Sequence, residues 1–235
     1  MYSRILSAAT FGVNAYIVEV ESHLEPTNPK FFIVGLPEGA VKESFQRVFA
    51  AIKNSEFKFP RNRITVNLAP ADIKKEGPAF DLAIALGMIF AGGTSTIEGT
   101  PERANEYIIA GELALDGRVR PIKGALSMAL LARDKQFTGV ILPRENAPEA
   151  AVVDDIQVIG IGTLAEAVGF LEDRLPLEPT CVDINEVFAQ ASHYDIDFSD
   201  VRGQESAKRA ITIAAAGAHN IFRLWTNLAS IEKIT

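Results

Sequence analysis

Apolar and polar residues alternate over positions 3 to 10 and 14 to 21, the spacing of strands with one covered face. Phe31-Phe32-Ile33-Val34 follows as a short apolar run that reads as a buried strand ending at Gly35. After a turn at Pro37 the period lengthens. Val41, Phe45, Val48, Phe49 and Ile52 fall at offsets of 0, 4, 7, 8 and 11, which places all five on one face of a core-facing helix. Ile64, Val66 and Leu68 alternate with Thr65 and Asn67, a return to strand spacing, and run into a loop from Ala69 to Pro78. From Phe80 the chain is apolar nearly all round, which predicts a helix enclosed on every side.

Beyond a Gly/Thr/Ser-rich stretch at 92 to 100, Tyr107 to Ala114 reads as a strand, and Asp116-Gly117 as a hairpin turn into Arg118-Val119-Arg120. A helix is predicted over Gly124 to Lys135. Val140-Ile141-Leu142 and Val158-Ile159-Gly160-Ile161 read as strands, with a helix between them around Glu145 to Val152. In Thr163-Leu164-Ala165-Glu166 the hydroxyl and the carboxylate are spaced to satisfy free helix amides, so a helix should run to Leu171. Such alternation of strands and helices defines an α/β (α+β) class. The pattern weakens from Glu172 to Asp197, where Pro176 and Pro179 fall. We therefore expect a first domain over 1–172, a linker over 173–197 and a second unit over 198–221, whose helix carries Ala207, Ile211, Ala214 and Ala215 on one side and closes at Gly217.

Composition narrows the setting. With 235 residues and 48% hydrophobic content the chain can bury one core of ordinary size and carry part of a second unit. Its longest apolar stretch, Leu82 to Ala91, is too short to cross a bilayer, and the N-terminus does not read as a signal peptide. One cysteine, Cys181, cannot form an internal disulfide, and a cytoplasmic location is expected. The net charge of −7 opposes direct binding to a phosphate backbone, which relies on cationic neutralisation. The local basic group Lys53, Lys58, Arg61 and Arg63, interleaved with Glu56, reads as a solvated face. His23, His193 and His219 have no partner at metal-ligand spacing, so no metal is expected. Asp72, Glu76 and Asp81 cluster at a helix start, where the dipole favours carboxylates, and read as capping residues.

Two stretches resemble the proteolytic domain of Lon-type proteases: Lys74-Lys75-Glu76-Gly77-Pro78-Ala79-Phe80, and the hairpin from Gly111 through Gly117-Arg118-Val119 to Pro121-Ile122. Gly35-Leu36-Pro37, Val41-Lys42-Glu43-Ser44, the segment from Arg63 to Asp72, and Val201-Arg202-Gly203-Gln204-Glu205 are similar instead to the YifB/ComM type of magnesium-chelatase-like AAA+ ATPase. The likeness covers residues 1 to 220 and implies a ribosomal protein S5 domain 2-like, Lon proteolytic-domain-like fold, followed by the start of an AAA+ P-loop domain.

The resemblance also bears on chemistry. A Lon-type site needs a serine nucleophile and a lysine that accepts its proton. Ala79 occupies the serine position and Leu126 the lysine position, so no catalytic residue is assigned. Ser127 and Lys123, four residues apart, read as a surface pair rather than a substitute dyad. Val201, Gly203 and Gln204 are the residues expected beside the adenine of ATP. A phosphate-binding loop needs glycines, a lysine and a hydroxyl, yet no Gly-Lys-Ser or Gly-Lys-Thr occurs in the sequence. We read residues 222–235 as an out-of-frame tail following a frameshift near Ile221, the alternative being a genuinely short chain. The expected role is that of a noncatalytic interaction and assembly domain. The parent would be a homo-hexameric ATPase using ATP and Mg2+ in DNA branch migration during natural transformation. A Lon-like Ser/Lys peptidase and a direct DNA-binding module are the alternatives, and no membrane partner is expected.

Overall fold

The computed structural model describes residues 1–93, 101–182 and 198–217, apart from the side chain of Lys42. The chain divides into two units, Met1–Ile184 and Asn185–Thr235. In the first, β1 (Tyr2–Phe11) and β2 (Asn14–Glu25) form an antiparallel hairpin in the alternating register that the sequence predicts. β3 (Lys30–Val34) lies parallel to β4 (Arg63–Ala69), which pairs antiparallel with β2, and the sheet order is β1-β2-β4-β3. One face of this sheet carries Ile5, Val18, Val20, Leu24, Ile64, Val66 and Leu68, all buried. Its other face is polar around Glu21, where Tyr2 donates at 3.0 Å and Asn67 at 2.7 Å, and apolar toward the β1–β2 turn, where Ala8 and Ala15 join the core formed with Ala125, Met128 and Ala129.

Two helices cover the apolar face: α1 (Gly39–Asn54) and α2 (Asp81–Ala91). All eleven residues of α2 are buried, as a helix apolar on every side after its first residue, Asp81, requires. Gly87 lets its backbone settle onto the sheet. A Cβ there would lie 2.6 Å from Ser22 Oγ, and the Ser3 hydroxyl donates to the Gly87 carbonyl at 2.6 Å.

Two expectations need correction. Among the described residues β3 is an edge strand with one neighbour; Phe32 and Val34 are exposed and Phe31 and Ile33 only half-buried. On α1 the predicted stripe divides: Val41, Val48 and Ile52 enter the core, whereas Phe45 and Phe49 are half-buried along a surface groove.

The remainder of the unit holds β5 (Tyr107–Ile109), β6 (Glu112–Leu113), β7 (Val119–Arg120), α3 (Ala125–Asp134), β8 (Gly139–Pro143), α4 (Ala147–Ala150), β9 (Gln157–Ile161) and α5 (Leu164–Leu171). β5, β8 and β9 form a parallel sheet in that order, and β6 and β7 pair as the predicted hairpin. The single strand predicted from Tyr107 to Ala114 is two. The chain turns at Gly111, where a Cβ would meet Val119 Cγ1 at 2.7 Å. The helix predicted around Glu145 to Val152 shortens to α4, after which Val153 N bonds to Ala150 O at 3.1 Å, and the Asn146 side chain that precedes it accepts from the Ile122 amide at 2.8 Å. Thr163 caps α5 as expected, its Oγ1 accepting from Glu166 N at 3.2 Å, whereas Glu166 Oε2 accepts at 2.8 Å from Gly162 N, one residue before the cap, rather than from the Thr163 amide. Past α5 the chain stays with this unit, Leu177 packing on the core and Thr180 N donating to Val158 O at 2.8 Å.

In the second unit the described residues form a 3-10 turn at Phe198–Asp200 and α6 (Glu205–Ala216). Of the side predicted to face a core, Ala214 is buried, and Ile211 is 41% exposed. Ile221, residues 222–235, His193, His219 and most of the stretch predicted as linker lie outside the described residues.

Candidate functional site

The loop that precedes α2 is organised by a buried cation. Lys75 is fully buried, and its ammonium donates to the Pro70 carbonyl and, at 2.6 Å, to the Ile73 carbonyl, with its pKa lowered by desolvation. Its main chain is held as well: Lys75 N donates to Leu36 O at 3.2 Å, and Glu38 N to Lys75 O at 3.0 Å. The Gly35-Leu36-Pro37 motif is thereby tied to the loop. Gly35 has φ +94°, and a Cβ on it would sit 2.2 Å from the Leu68 carbonyl oxygen, so only glycine lets the chain pass β4 at this point.

A second knot joins the loop to the hairpin. Gly111 N donates to Ala79 O at 2.8 Å, and Leu82 N to Gly111 O at 3.1 Å. Between these bonds lies Asp81, fully buried, which accepts from Arg47 Nε at 2.6 Å, Arg47 Nη2 at 3.0 Å and Leu113 N at 3.3 Å. Burial pushes the Asp81 carboxyl up to about 6, and the Arg47 guanidinium and the Leu113 amide oppose the rise. Arg47 also donates to Ala40 O at 2.9 Å, which fixes the first turns of α1 to the same point. The capping role expected of Asp72, Glu76 and Asp81 is therefore corrected. Asp72 and Glu76 are exposed, whereas Asp81 is the buried partner of Arg47. Sequence reasoning missed both Lys75 and Arg47; the available signal was one carboxylate at the head of an otherwise apolar helix.

Ala79 is half-buried, presents a methyl group, and bonds Gly111 through its carbonyl. Leu126 is 38% exposed on the first turn of α3, where its amide donates to Glu149 Oε1 at 3.2 Å. Lys123 precedes α3 rather than lying on it, and the Ser127 hydroxyl donates to the Val13 carbonyl at 2.8 Å. Lys123 and Ser127 therefore do not share a helical face. Val201 is 41% exposed, and Gly203 and Gln204 take left-handed backbone at φ +68° and +59° as the chain enters α6. Val201 offers an apolar side chain, Gln204 a carboxamide and Gly203 its main chain, and none of the three supplies the lysine or hydroxyl that a phosphate-binding loop needs.

Among the described residues no group of His, Cys, Asp or Glu is placed to hold a metal ion, and no helix is long and apolar enough to cross a membrane. A smaller cleft of about 340 Å3 is lined by Arg118, Arg120 and Arg144, each paired with a carboxylate: Asp116, Glu112 and Glu166 respectively.

Fold and loops together define a mixed-sheet α/β domain whose interlocked segments are those that resemble Lon-type proteolytic domains. Residues 20–146 match the family model for subunit ChlI of Mg-chelatase, and residues 197–225 match a second model, magnesium chelatase, subunit ChlI. The chain is 41% identical over 222 residues to competence protein ComM of Haemophilus influenzae, covering 94% of this chain and 42% of that protein. It is 38% identical over 222 residues to the uncharacterized protein YifB of Escherichia coli, covering 93% and 42%. A Lon protease of Fervidobacterium nodosum is 29% identical over 142 residues, 58% of this chain and 17% of the protease. The chain belongs to the magnesium chelatase subunit ChlI family, as a member of the YifB/ComM type. It spans about 42% of the length of these YifB/ComM relatives.

Proposed function

We propose that the first unit is a noncatalytic interaction and assembly domain of a magnesium-chelatase-like AAA+ ATPase. The observation that carries this reading is the knot at Gly111, Ala79 and Asp81. The loop that would present a nucleophile in a peptidase is here fastened to the hairpin by main-chain bonds at Gly111 and the Leu113 amide, and to α1 through the Arg47–Asp81 ion pair. A methyl group at Ala79 cannot attack a carbonyl, and an aliphatic side chain at Leu126 cannot take a proton. The segment similarity to Lon proteases supports a ribosomal protein S5 domain 2-like topology for this unit. The match of residues 197–225 supports reading α6 as the start of a P-loop domain.

For the whole protein the reading is a cytoplasmic homo-hexamer that binds ATP and Mg2+ and acts on DNA in branch migration during natural transformation. The printed name of the ComM relative supports the competence link. Val201, Gly203 and Gln204 would then sit on the adenine side of the nucleotide.

The purified 235-residue chain should hydrolyse neither unfolded protein nor ATP. In a full-length relative, deleting the first unit should reduce ring assembly measured by mass photometry. Peptide hydrolysis lost on Ser127→Ala, or rings that assemble equally well without the unit, would overturn the proposal.

A further inference from the structure

Beside the edge strand, Phe45 and Phe49 of α1 meet Phe31 and Phe59 around a cavity of about 950 Å3, with Phe57 and Ile64 completing its walls. The rings are engaged with one another: Phe31 stacks on Phe45 at a centroid distance of 4.3 Å, and Phe49 meets Phe59 edge-on at 4.7 Å. Cations surround the mouth. Lys30, Lys53, Lys58 and Arg61 are all exposed there, against one carboxylate among the described residues, Glu56. This cationic rim belongs to a chain whose net charge is −7.

Among the described residues the rim charges are also without ion-pair partners. Nine of the ten arginines between Met1 and Ile184 have a carboxylate within ion-pairing distance, and Arg61 is the tenth, without one among the described residues. Lys30, Lys53 and Lys58 likewise make no ion pair among the described residues; the Lys53 ammonium rests on the Phe49 ring at 4.5 Å.

We propose that this groove docks an acidic peptide segment of a partner protein that carries one bulky apolar side chain, the anchor filling the aromatic cavity and the flanking carboxylates meeting the rim. Single-stranded nucleic acid fits less well, because it stacks successive bases on free ring faces, and here the faces are taken up by each other around a concavity. A concave apolar site with a polar rim suits a side-chain anchor. β3, whose first residues Lys30 and Phe31 line the cavity, has one edge unpaired among the described residues, and a peptide backbone can bond to a free edge.

The inference rests on the interaction-platform reading and names its surface. Fluorescence anisotropy of the full chain with labelled synthetic peptides, in which Asp and Glu flank a central Phe, Leu or Trp, tests it. Binding should be at least about tenfold tighter than for the same peptide with Ser as anchor or Lys as flanks, and should weaken as salt is added. The double variant Lys58→Glu/Arg61→Glu, altered only at exposed positions and checked by circular dichroism, should lose about tenfold in affinity or more. Phe49→Ala should lose binding also. The proposal is overturned if no anchored acidic peptide binds, if the Ser-anchored peptide or oligo-deoxythymidine binds as tightly, or if the charge-reversed variant binds unchanged. Any of these removes the groove and leaves the assembly experiment on the first unit to stand or fall separately.

Discussion

Arg47 reaches from the middle of α1 to Asp81 at the start of α2 and holds both carboxylate oxygens, at 2.6 and 3.0 Å, where the carboxylate has no contact with solvent. The carboxylate is fully buried against a guanidinium that is itself 21% exposed, and the Leu113 amide supplies a third contact from the hairpin. The pair is the point at which α1, α2 and the hairpin are fixed to one another.

Removing one partner is therefore more damaging than removing both. Arg47→Met should cost about 3–5 kcal/mol in urea unfolding, because it leaves a buried carboxylate without its cation. Arg47→Met combined with Asp81→Leu should recover much of that loss. Two single losses that simply add in the double variant would contradict this account.

The same pair has a pH signature. Asp81 titrates at about 6 when folded against the ordinary 3.8, so between these values the unfolded chain has released a proton that the folded chain retains. Stability from this group is therefore fully present below the unfolded value, falls as pH rises from about 4 to 6, and is lower by about 3 kcal/mol on the plateau above. Subtracting the unfolding free energies of Asp81→Asn from those of the natural protein across this window isolates the contribution. A difference that is flat, or that grows with pH, would refute the assignment.

Lys75 should be among the last lysines acetylated when the native chain meets a limiting amount of acetic anhydride, since reaction requires exposure and its ammonium is enclosed. Lys75→Met keeps most of the aliphatic stem but withdraws the donor from two carbonyls. A loss of about 1–3 kcal/mol is expected. Faster amide exchange over the Ala69 to Pro78 loop should accompany it.

Gly35→Ala should be severe and Gly12→Ala mild, although both glycines have positive φ, +94° and +61°. At Gly12 nothing lies within 4 Å of the added Cβ, so the cost is conformational, about 1 kcal/mol. At Gly35 the Cβ would fall 2.2 Å from Leu68 O, and β4 must move. The gap between the two melting temperatures measures that displacement directly.

Much of the architecture was legible because each local period states which residues share a face. The β1–β2 hairpin, the fully buried α2 and the cap at Thr163 all follow from residues that are near neighbours in sequence. What covers a face is a different matter, settled by segments far away. The Phe31 to Val34 run reads as buried because four apolar residues are adjacent, yet no strand pairs its outer edge among the described residues. Phe45 and Phe49 share a stripe with Val48, but the stripe extends past the sheet and its margin opens on the groove. In the site, Ala79 and Leu126 were read from motif position alone. The Arg47–Asp81 bond, spanning 34 residues, leaves no periodic trace, and the burial of Lys75 depends on a loop whose own carbonyls close around it.

One feature of α2 bears on any attempt to divide this protein. Its eleven residues touch strands of the large sheet, its neighbour α1, the hairpin and α5, so its surroundings come from both ends of the first unit. Trimming from either side would strip wall from an apolar rod carrying a single charge. Sub-fragments of this unit should be recovered from inclusion bodies, and dissection by domain boundary should keep Met1–Ile184 whole.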